Sequence, residues 1–396
     1  MALDLSRVIA QISDMVSHLK ADTHNRREHI STSIKVLHQH AGKLDPLKKK
    51  VAQSRTTWLV AEPVEQIDRK HTSIALPGDF AVIATDGSHI DVDRHHGIRC
   101  FLINTGAVTL RYGARADARL ESEPHIYYQD ADLVITAPDN LREIPVEGNL
   151  LGAKRAVEEC RKLSDTMSML PADLPAVGLI DGSLLLWTLE GSPDFVSEAI
   201  LENGYLKQLD ALREHCEQHQ AGVASYISLP RSNDVVNMLR VALCPLETVD
   251  SDRCGECKTR ECYSIAGVRD RDLFMETLAA GERSALFISP SKVQKRYGPH
   301  LVHFFYLKLE DEIARVEVPM WIAANKTKLD MVHSLILDQC KKGLGYPVAL
   351  SEAHEKAVIT GADRDNFWRV VEELMVKENI SVTDSAKSAS KRTRSI

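Results

Sequence analysis

The stretch Phe80-Ala-Val-Ile-Ala-Thr-Asp-Gly-Ser88 decides how this chain is read. An unbroken apolar run from Phe80 to Ala84 suits a strand buried on both faces, whereas a half-buried strand alternates. Asp86-Gly87-Ser88 then interrupts the run, and Asp-Gly is a frequent turn dipeptide. The expectation is a central strand ending at Asp86, with a carboxylate at the rim of a sheet, where α/β proteins bind ligands. The same tripeptide closes a second apolar run, Ala176-Val-Gly-Leu-Ile-Asp-Gly-Ser183.

Between the two runs, Cys100-Phe-Leu-Ile103 and Ala107-Val-Thr-Leu110 read as strands, with Asn104-Thr-Gly106 as a turn. A helix is expected from Asn149 to Leu170, ahead of the breakers Pro171 and Pro175. The order is three strands, a helix and a fourth strand. Further strands are expected at Ser284–Ile288, His303–Leu307 and Ala314–Val318, and late helices at Leu329–Lys342, Ser351–Thr360 and Arg364–Glu378. Leu5, Val8, Ile9, Ile12, Met15, Val16 and Leu19 recur at helical spacing, followed more weakly by Ile30, Ile34 and Leu37. This predicts a helical arm over residues 1–60 that packs against the core of the chain, a second subunit or a partner. An α/β domain over 75–378 follows, and Ser381 to Ile396, rich in Ser, Lys and Arg, reads as a disordered basic tail.

Composition sets the class more than the chemistry. The 396 residues, 44% hydrophobic and 27% charged, are those of an ordinary globular protein with ample core. A net charge of −7 neither advertises nor excludes nucleic-acid binding, because a protein that binds nucleic acid needs only a locally basic channel. The opening residues form no basic segment followed by an apolar core, and no apolar run approaches the roughly 18 residues of a membrane span. Eight dispersed cysteines do not make a secreted disulfide scaffold of this size, so a reduced, cytoplasmic protein is expected.

Two strands ending in Asp-Gly-Ser, if neighbours, bring Asp86 and Asp181 together. Paired carboxylates repel unless a cation lies between them, and hard ions such as Mn²⁺ or Mg²⁺ take oxygen ligands. Each Asp-Gly also fits an ordinary turn. On the helix between them, Ala156, Glu159, Cys160, Leu163, Met167 and Leu170 share one face. Glu158 lies with Lys154, Arg155, Arg161, Lys162 and Asp165 on the solvated side. Glu159 is therefore the acid aimed at the sheet, although a slip of one residue in helix phase would exchange it for Glu158. His354 shares a face with Leu350, Ala357 and Val358, and Ser351 reads as the N-cap of its helix. A core histidine and a ligand or general base both fit His354. Tyr346, after Gly343-Leu-Gly345, suits either a phosphate or water contact or the core.

Asp86-Gly-Ser, Asp181-Gly-Ser-Leu, Gly281-Glu-Arg-Ser284, Val316-Glu-Val-Pro319 and Gly345-Tyr-Pro-Val-Ala-Leu-Ser-Glu-Ala-His354 together resemble the NurA-domain nucleases over about residues 78 to 375. The last of these is the most specific. The resemblance implies an RNase H-like mixed sheet flanked by helices and a Mn²⁺-favouring nuclease acting on DNA ends. It also implies a homodimer and a partnership with a HerA-type hexameric ATPase that drives DNA, in end resection, repair or defence against foreign DNA. Carried over by position, it makes Asp86, Glu159, Asp181 and His354 the metal and catalytic set, with Tyr346 beside them. Arg283 and Lys292 are candidate phosphate contacts.

Cys254-Gly-Glu-Cys257 with Cys262 and the earlier Cys244 is a candidate ligand set for a structural Zn²⁺, against which stands a reading as free thiols. Two other functions compete with the nuclease. A non-catalytic scaffold for an ATPase ring would have no need of the carboxylates, and an Argonaute-like enzyme would need guide-holding domains that this length does not provide.

Overall fold

The computed structural model describes residues 4–93, 98–289 and 291–380, and the expected tail at 381–396 lies outside them. The chain forms two compact units. Of the described residues, the first gathers those within 4–72, 228–291 and 303–316, and the second those within 73–227, 292–302 and 317–380.

Helices α1 (Leu5–Ala41) and α2 (Leu44–Ala52) open the first unit. Asp4 caps α1 by accepting the Arg7 amide. The later turns of α1 bury Val36, Leu37 and Ala41, whereas its first turns leave Leu5, Ile9, Ile12, Met15, Val16 and Leu19 exposed.

In the second unit, β1 (Phe80–Ile90), β2 (Phe101–Tyr112) and β3 (Asp117–Tyr127) form an antiparallel meander. Helix α3 (Asn149–Ser168) crosses to β4 (Ala176–Asp181), and α4 (Leu206–Gln218) leads to β5 (Ala221–Ile227). Strands β1 and β4 are parallel, as are β4 and β5. The order β5-β4-β1-β2-β3, with only β2 reversed, is the RNase H-like arrangement. Cys160, Leu163 and Met167 of α3 pack with Ala81, Ile83 and Ile180 in a core cluster, which is why the central strands read as continuous apolar runs.

Two sequence-based expectations fail here for one reason. Strand β1 does not end at Asp86 but continues to Ile90, and Asn104-Thr-Gly106 is no turn but lies mid-strand in β2. Asp86 pairs with Gly106 across the ladder. Neither Gly87 nor Gly106 turns the chain. Each instead marks where another element lies against the strand, the second use of glycine in a sheet. A Cβ on Gly87 would lie 2.6 Å from Glu159 Oε1, and one on Gly106 would run into the backbone of residues Ala353 to Ala357.

The first unit resumes with α5 (Asp234–Leu243) and α6 (Asp270–Thr277), and it holds most of β6 (Val302–Lys308) and β7 (Ile313–Pro319), of which Val302 and the residues from Glu317 on belong to the second unit. The expected Ser284–Ile288 strand is two short pieces, Arg283–Ser284 and Phe287–Ile288, each paired with β6. Asp270 is fully buried and accepts the Val235 and Val236 amides (3.1 and 2.8 Å), two of the otherwise unmet donors in the first turn of α5. Helices α7 (Lys326–Lys342), α8 (Val348–Ala357) and α9 (Gly361–Lys377) complete the second unit. Helix α8 begins earlier than expected, with Pro347 before it, so Ser351 is inside the helix and caps nothing.

Candidate active site

Pairing between β1 and β4 runs from Ala81↔Ala176 to Thr85↔Ile180 and stops. Asp86 and Asp181 are the next residues, at the point where two parallel strands part. Gly182, at φ +84°, turns the chain away after Asp181 and donates to the Tyr226 carbonyl at 3.0 Å. Here the Asp-Gly turn expected from sequence is present. The buried Glu317 carboxylate fixes the next two residues, accepting the Ser183 hydroxyl (2.8 Å) and the Leu184 amide (2.9 Å).

Glu159 reaches this point from α3. The Thr85 hydroxyl donates to the Glu159 carbonyl at 3.1 Å, which pins that turn of the helix above β1. Its side chain occupies the space left by the missing side chain of Gly87. Glu159 is 5% exposed, and Oε1 lies 3.0 Å from Arg155 Nε. Neither atom makes a hydrogen bond, because the two are misaligned. Burial pushes the Glu159 carboxyl up to about 8, with Arg155 pulling it down and the charges of Asp86 and Asp181 adding to the rise. The ion-pair distance and the raised carboxyl pull in opposite directions. Complete enclosure beside two other carboxylates outweighs one guanidinium that is itself a third exposed.

His354 approaches from α8. Its Nδ1 lies 2.7 Å from Asp86 Oδ2, while Asp86 Oδ1 accepts the Gly87 amide at 2.7 Å. Helix α8 can lie this close because Gly106 has no side chain beneath it. Its end is tied down by polar groups of the sheet. Asn104 Nδ2 donates to the Lys356 and Ala357 carbonyls (3.1 and 2.9 Å), and the Ser88 hydroxyl donates to Ala357 as well. Carbonyls that α8 itself leaves unmet are satisfied in this way. Tyr346 donates its hydroxyl to Asp181 Oδ1 at 2.9 Å and meets Tyr226 edge-on, ring centroids 5.4 Å apart. Burial raises the Tyr346 hydroxyl well above the usual phenol range, so it remains a donor. Burial likewise raises Asp181, the Tyr346 hydrogen bond opposing and the Asp86 charge adding.

The structure thus brings together Asp86, Glu159, Asp181, His354 and Tyr346. Glu158 is elsewhere, paired with Arg161 at 2.8 Å. The face of α3 expected to be solvated is only partly so. Lys162 is buried between Glu121 and Glu123 of β3 (3.0 and 2.7 Å), and Arg155 folds onto Glu159. Arg155 and Glu317 are the site neighbours that helical phase and motif reading did not single out. The Gly87 gap beside the first turns of α3 is the signal that points to Arg155, since its Cγ would lie 3.0 Å from a Cβ there.

Two further candidates are placed differently. Arg283 belongs to the first unit and is 1% exposed, its guanidinium over the Phe305 ring and 3.9 Å from Glu65, so it presents nothing to a DNA phosphate. Lys292 is exposed, 4.0 Å from Glu190. The thiols of Cys244, Cys254, Cys257 and Cys262 are free, with Cys257 Sγ accepting the Arg260 amide at 3.4 Å. Among the described residues no three His, Cys, Asp or Glu side chains are gathered into a ready ligand set, at the cysteines or at the carboxylates.

No curated protein matches the sequence. Among solved structures, the crystal structure of the NurA nuclease from Sulfolobus solfataricus is similar over 96% of this chain and 98% of that one, at 12% identity and a TM-score of 0.48. The family model described as the NurA domain matches residues 80–359, well over half of the chain and all five residues of the site. This chain belongs to the NurA-domain family.

Proposed function

We propose that this chain is a metal-dependent deoxyribonuclease that hydrolyses phosphodiester bonds at DNA ends, with Mn²⁺ or Mg²⁺ as its cofactor. The observation that carries the reading is that Asp86 and Asp181 stand where β1 and β4 part, near enough to the enclosed Glu159 for their charges to act on it. The donor set fits a hard divalent ion, being carboxylate oxygens, one of them buried without a hydrogen bond. Asp86, Asp181 and Glu159 are the residues that would hold it. When bound, such an ion lowers the pKa of water and stabilises charge on a phosphoryl oxygen.

The chain's own residues have distinct tasks in this reading. With its Nδ1 hydrogen on Asp86, His354 leaves Nε2 as a proton acceptor on a largely exposed ring. It serves there as the general base, taking the proton of the attacking water as that oxygen adds to phosphorus and the ester P–O bond breaks. Tyr346 orients Asp181, and Asp86 fixes the imidazole. Lys292 is retained as a phosphate contact.

Family membership supports a HerA-type hexameric ATPase as the partner that feeds DNA to the site, a homodimer, and a role in end resection, repair or defence. No helix among the described residues is long and apolar enough to cross a membrane, and none of the eight cysteines is in a disulfide, which suits a cytoplasmic site of action. The test is cleavage of single- and double-stranded DNA with Mn²⁺, Mg²⁺ or chelator. Cleavage is expected only with metal, and Asp86→Asn is expected to lower it by on the order of a hundredfold or more. Full activity in Asp86→Asn would overturn this site, and no cleavage by the unaltered protein in any metal would favour a scaffold.

A further inference from the structure

Helix α7 ends at Lys342, and the chain reverses through Gly343-Leu344-Gly345 into Tyr346. The Gly343 amide donates to the Gln339 carbonyl (2.9 Å) and the Gly345 amide to the Cys340 carbonyl (2.8 Å). The second is the six-residue bond of a Schellman ending, which places the residue between in the left-handed region. That residue is Leu344, at φ +56°. Glycine is the usual occupant there, because a side chain is strained in this conformation. Both flanking glycines are accounted for. A Cβ on Gly343 would run into the Tyr346 carbonyl, and Gly345 has φ +115°.

Leu344 is the exception in this turn. It is 97% exposed and so buries nothing within the chain, while its backbone conformation disfavours it. A strained residue held where it adds nothing to packing is grounds for a functional hypothesis. Its surroundings say which. Tyr346, which holds Asp181, is two residues on, so the two Cα atoms are at most about 7 Å apart. Lys341 is exposed in the last turn of α7, whereas the Lys342 ammonium pairs with Asp338 and lies 4.7 Å from the Tyr112 ring centroid. An apolar tip beside the exposed Lys341, next to the carboxylates of the nuclease reading, matches the way apolar wedges enter base steps while a lysine holds a phosphate.

We propose that Leu344 is a wedge that inserts at a DNA duplex end and unstacks the terminal base pair as the strand enters the site. The proposal rests on the nuclease reading for the identity of the ligand, and its test separates the two. Duplexes carrying 2-aminopurine at the terminal pair are saturated with protein in Ca²⁺, which replaces Mn²⁺ so that binding is read apart from cleavage. The unaltered protein and Leu344→Met are expected to raise the fluorescence, and Leu344→Gly to leave it at the level of free DNA. Leu344→Gly is also expected to melt at a higher temperature, since glycine relieves the strain, so loss of fraying is not loss of fold. In Mn²⁺ the ratio of duplex-end to single-strand cleavage should fall about tenfold in Leu344→Gly, the equivalent of one lost stacking contact. Fraying by Leu344→Gly equal to that of the unaltered protein, or no fraying by the unaltered protein, overturns the wedge. Fraying without cleavage in any metal leaves the wedge standing and overturns the nuclease.

Discussion

Glu159 shows how one residue's environment sets both its chemistry and its effect on stability. Its carboxyl is enclosed, raised from 4.5 to about 8, and beside two acids and one guanidinium. Between those values the folded protein binds a proton that the unfolded chain releases. The stability this proton contributes is therefore present at low pH and fades as pH rises through the window. Glu159→Gln keeps the shape and removes the charge. In chelator, the difference between the variant and the unaltered protein should be smallest near about pH 4, below the window, and by about pH 8.5 the variant should have gained in melting temperature on the unaltered protein. With Mn²⁺ the order reverses for function, because an amide is a poorer ligand than a carboxylate and cleavage should be lost. Melting curves that stay parallel across this range would show that Glu159 is not held in its neutral form. Arg155 beside it shows what a helical wheel leaves out. A long side chain rooted on a polar face can still fold back to a buried acid one turn away.

At the scale of elements, the glycines of the strands carry the most consequence for the site. Gly106→Ala should destabilise the protein by about 2–4 kcal/mol, because the new methyl group meets backbone in α8 that cannot rotate aside. Displacing α8 also draws His354 from Asp86, so activity should fall even at temperatures where the variant remains folded, as measured by cleavage beside a melting curve. Asp270→Ala in the first unit leaves the Val235 and Val236 amides and the Tyr306 hydroxyl without that acceptor, and about 3 kcal/mol should be lost in denaturant unfolding. These cases mark what was legible in the sequence. The apolar face of α3 follows from its 3.6-residue period, and that period selected Glu159 over Glu158. Asp181-Gly182 is a turn, as its composition suggests. Asp86-Gly87 and Asn104-Thr-Gly106 look the same locally and are not turns, since what decides them is a helix more than 70 residues away in one case and nearly 250 in the other. Strand β3 escaped notice because Arg119, Glu121, Glu123 and His125 show no apolar period, both its faces being largely solvated.

Across the whole molecule, a linear reading separates an N-terminal arm from one long α/β domain, whereas residues 4–72 form a unit with those described within 228–291 and 303–316. Arg26 of α1 and Asp272 of α6, for example, form a two-pronged ion pair at 2.8 and 2.9 Å. Periodicity tells that a helix has an apolar face but not which distant segment covers it. The first turns of α1 sharpen the point, because six large apolar side chains from Leu5 to Leu19 remain 40% to 63% exposed. Covering about half of each against a second copy would contribute roughly 1 kcal/mol per side chain. Twelve such side chains then offset an association cost of about 4–15 kcal/mol only when the stripe is engaged along its length. Ile9→Glu with Ile12→Glu and Val16→Glu places charge in the middle of the stripe without touching the buried turns around Val36 and Leu37. Folding stability should change by no more than about 0.5 kcal/mol per substitution, as expected for surface positions. Sedimentation should show a dimer for the unaltered chain and a monomer for the triple variant. A triple variant that still sediments as a dimer would place the subunit contact elsewhere. One that fails to fold would mean that the exposed stripe is already packed within the chain.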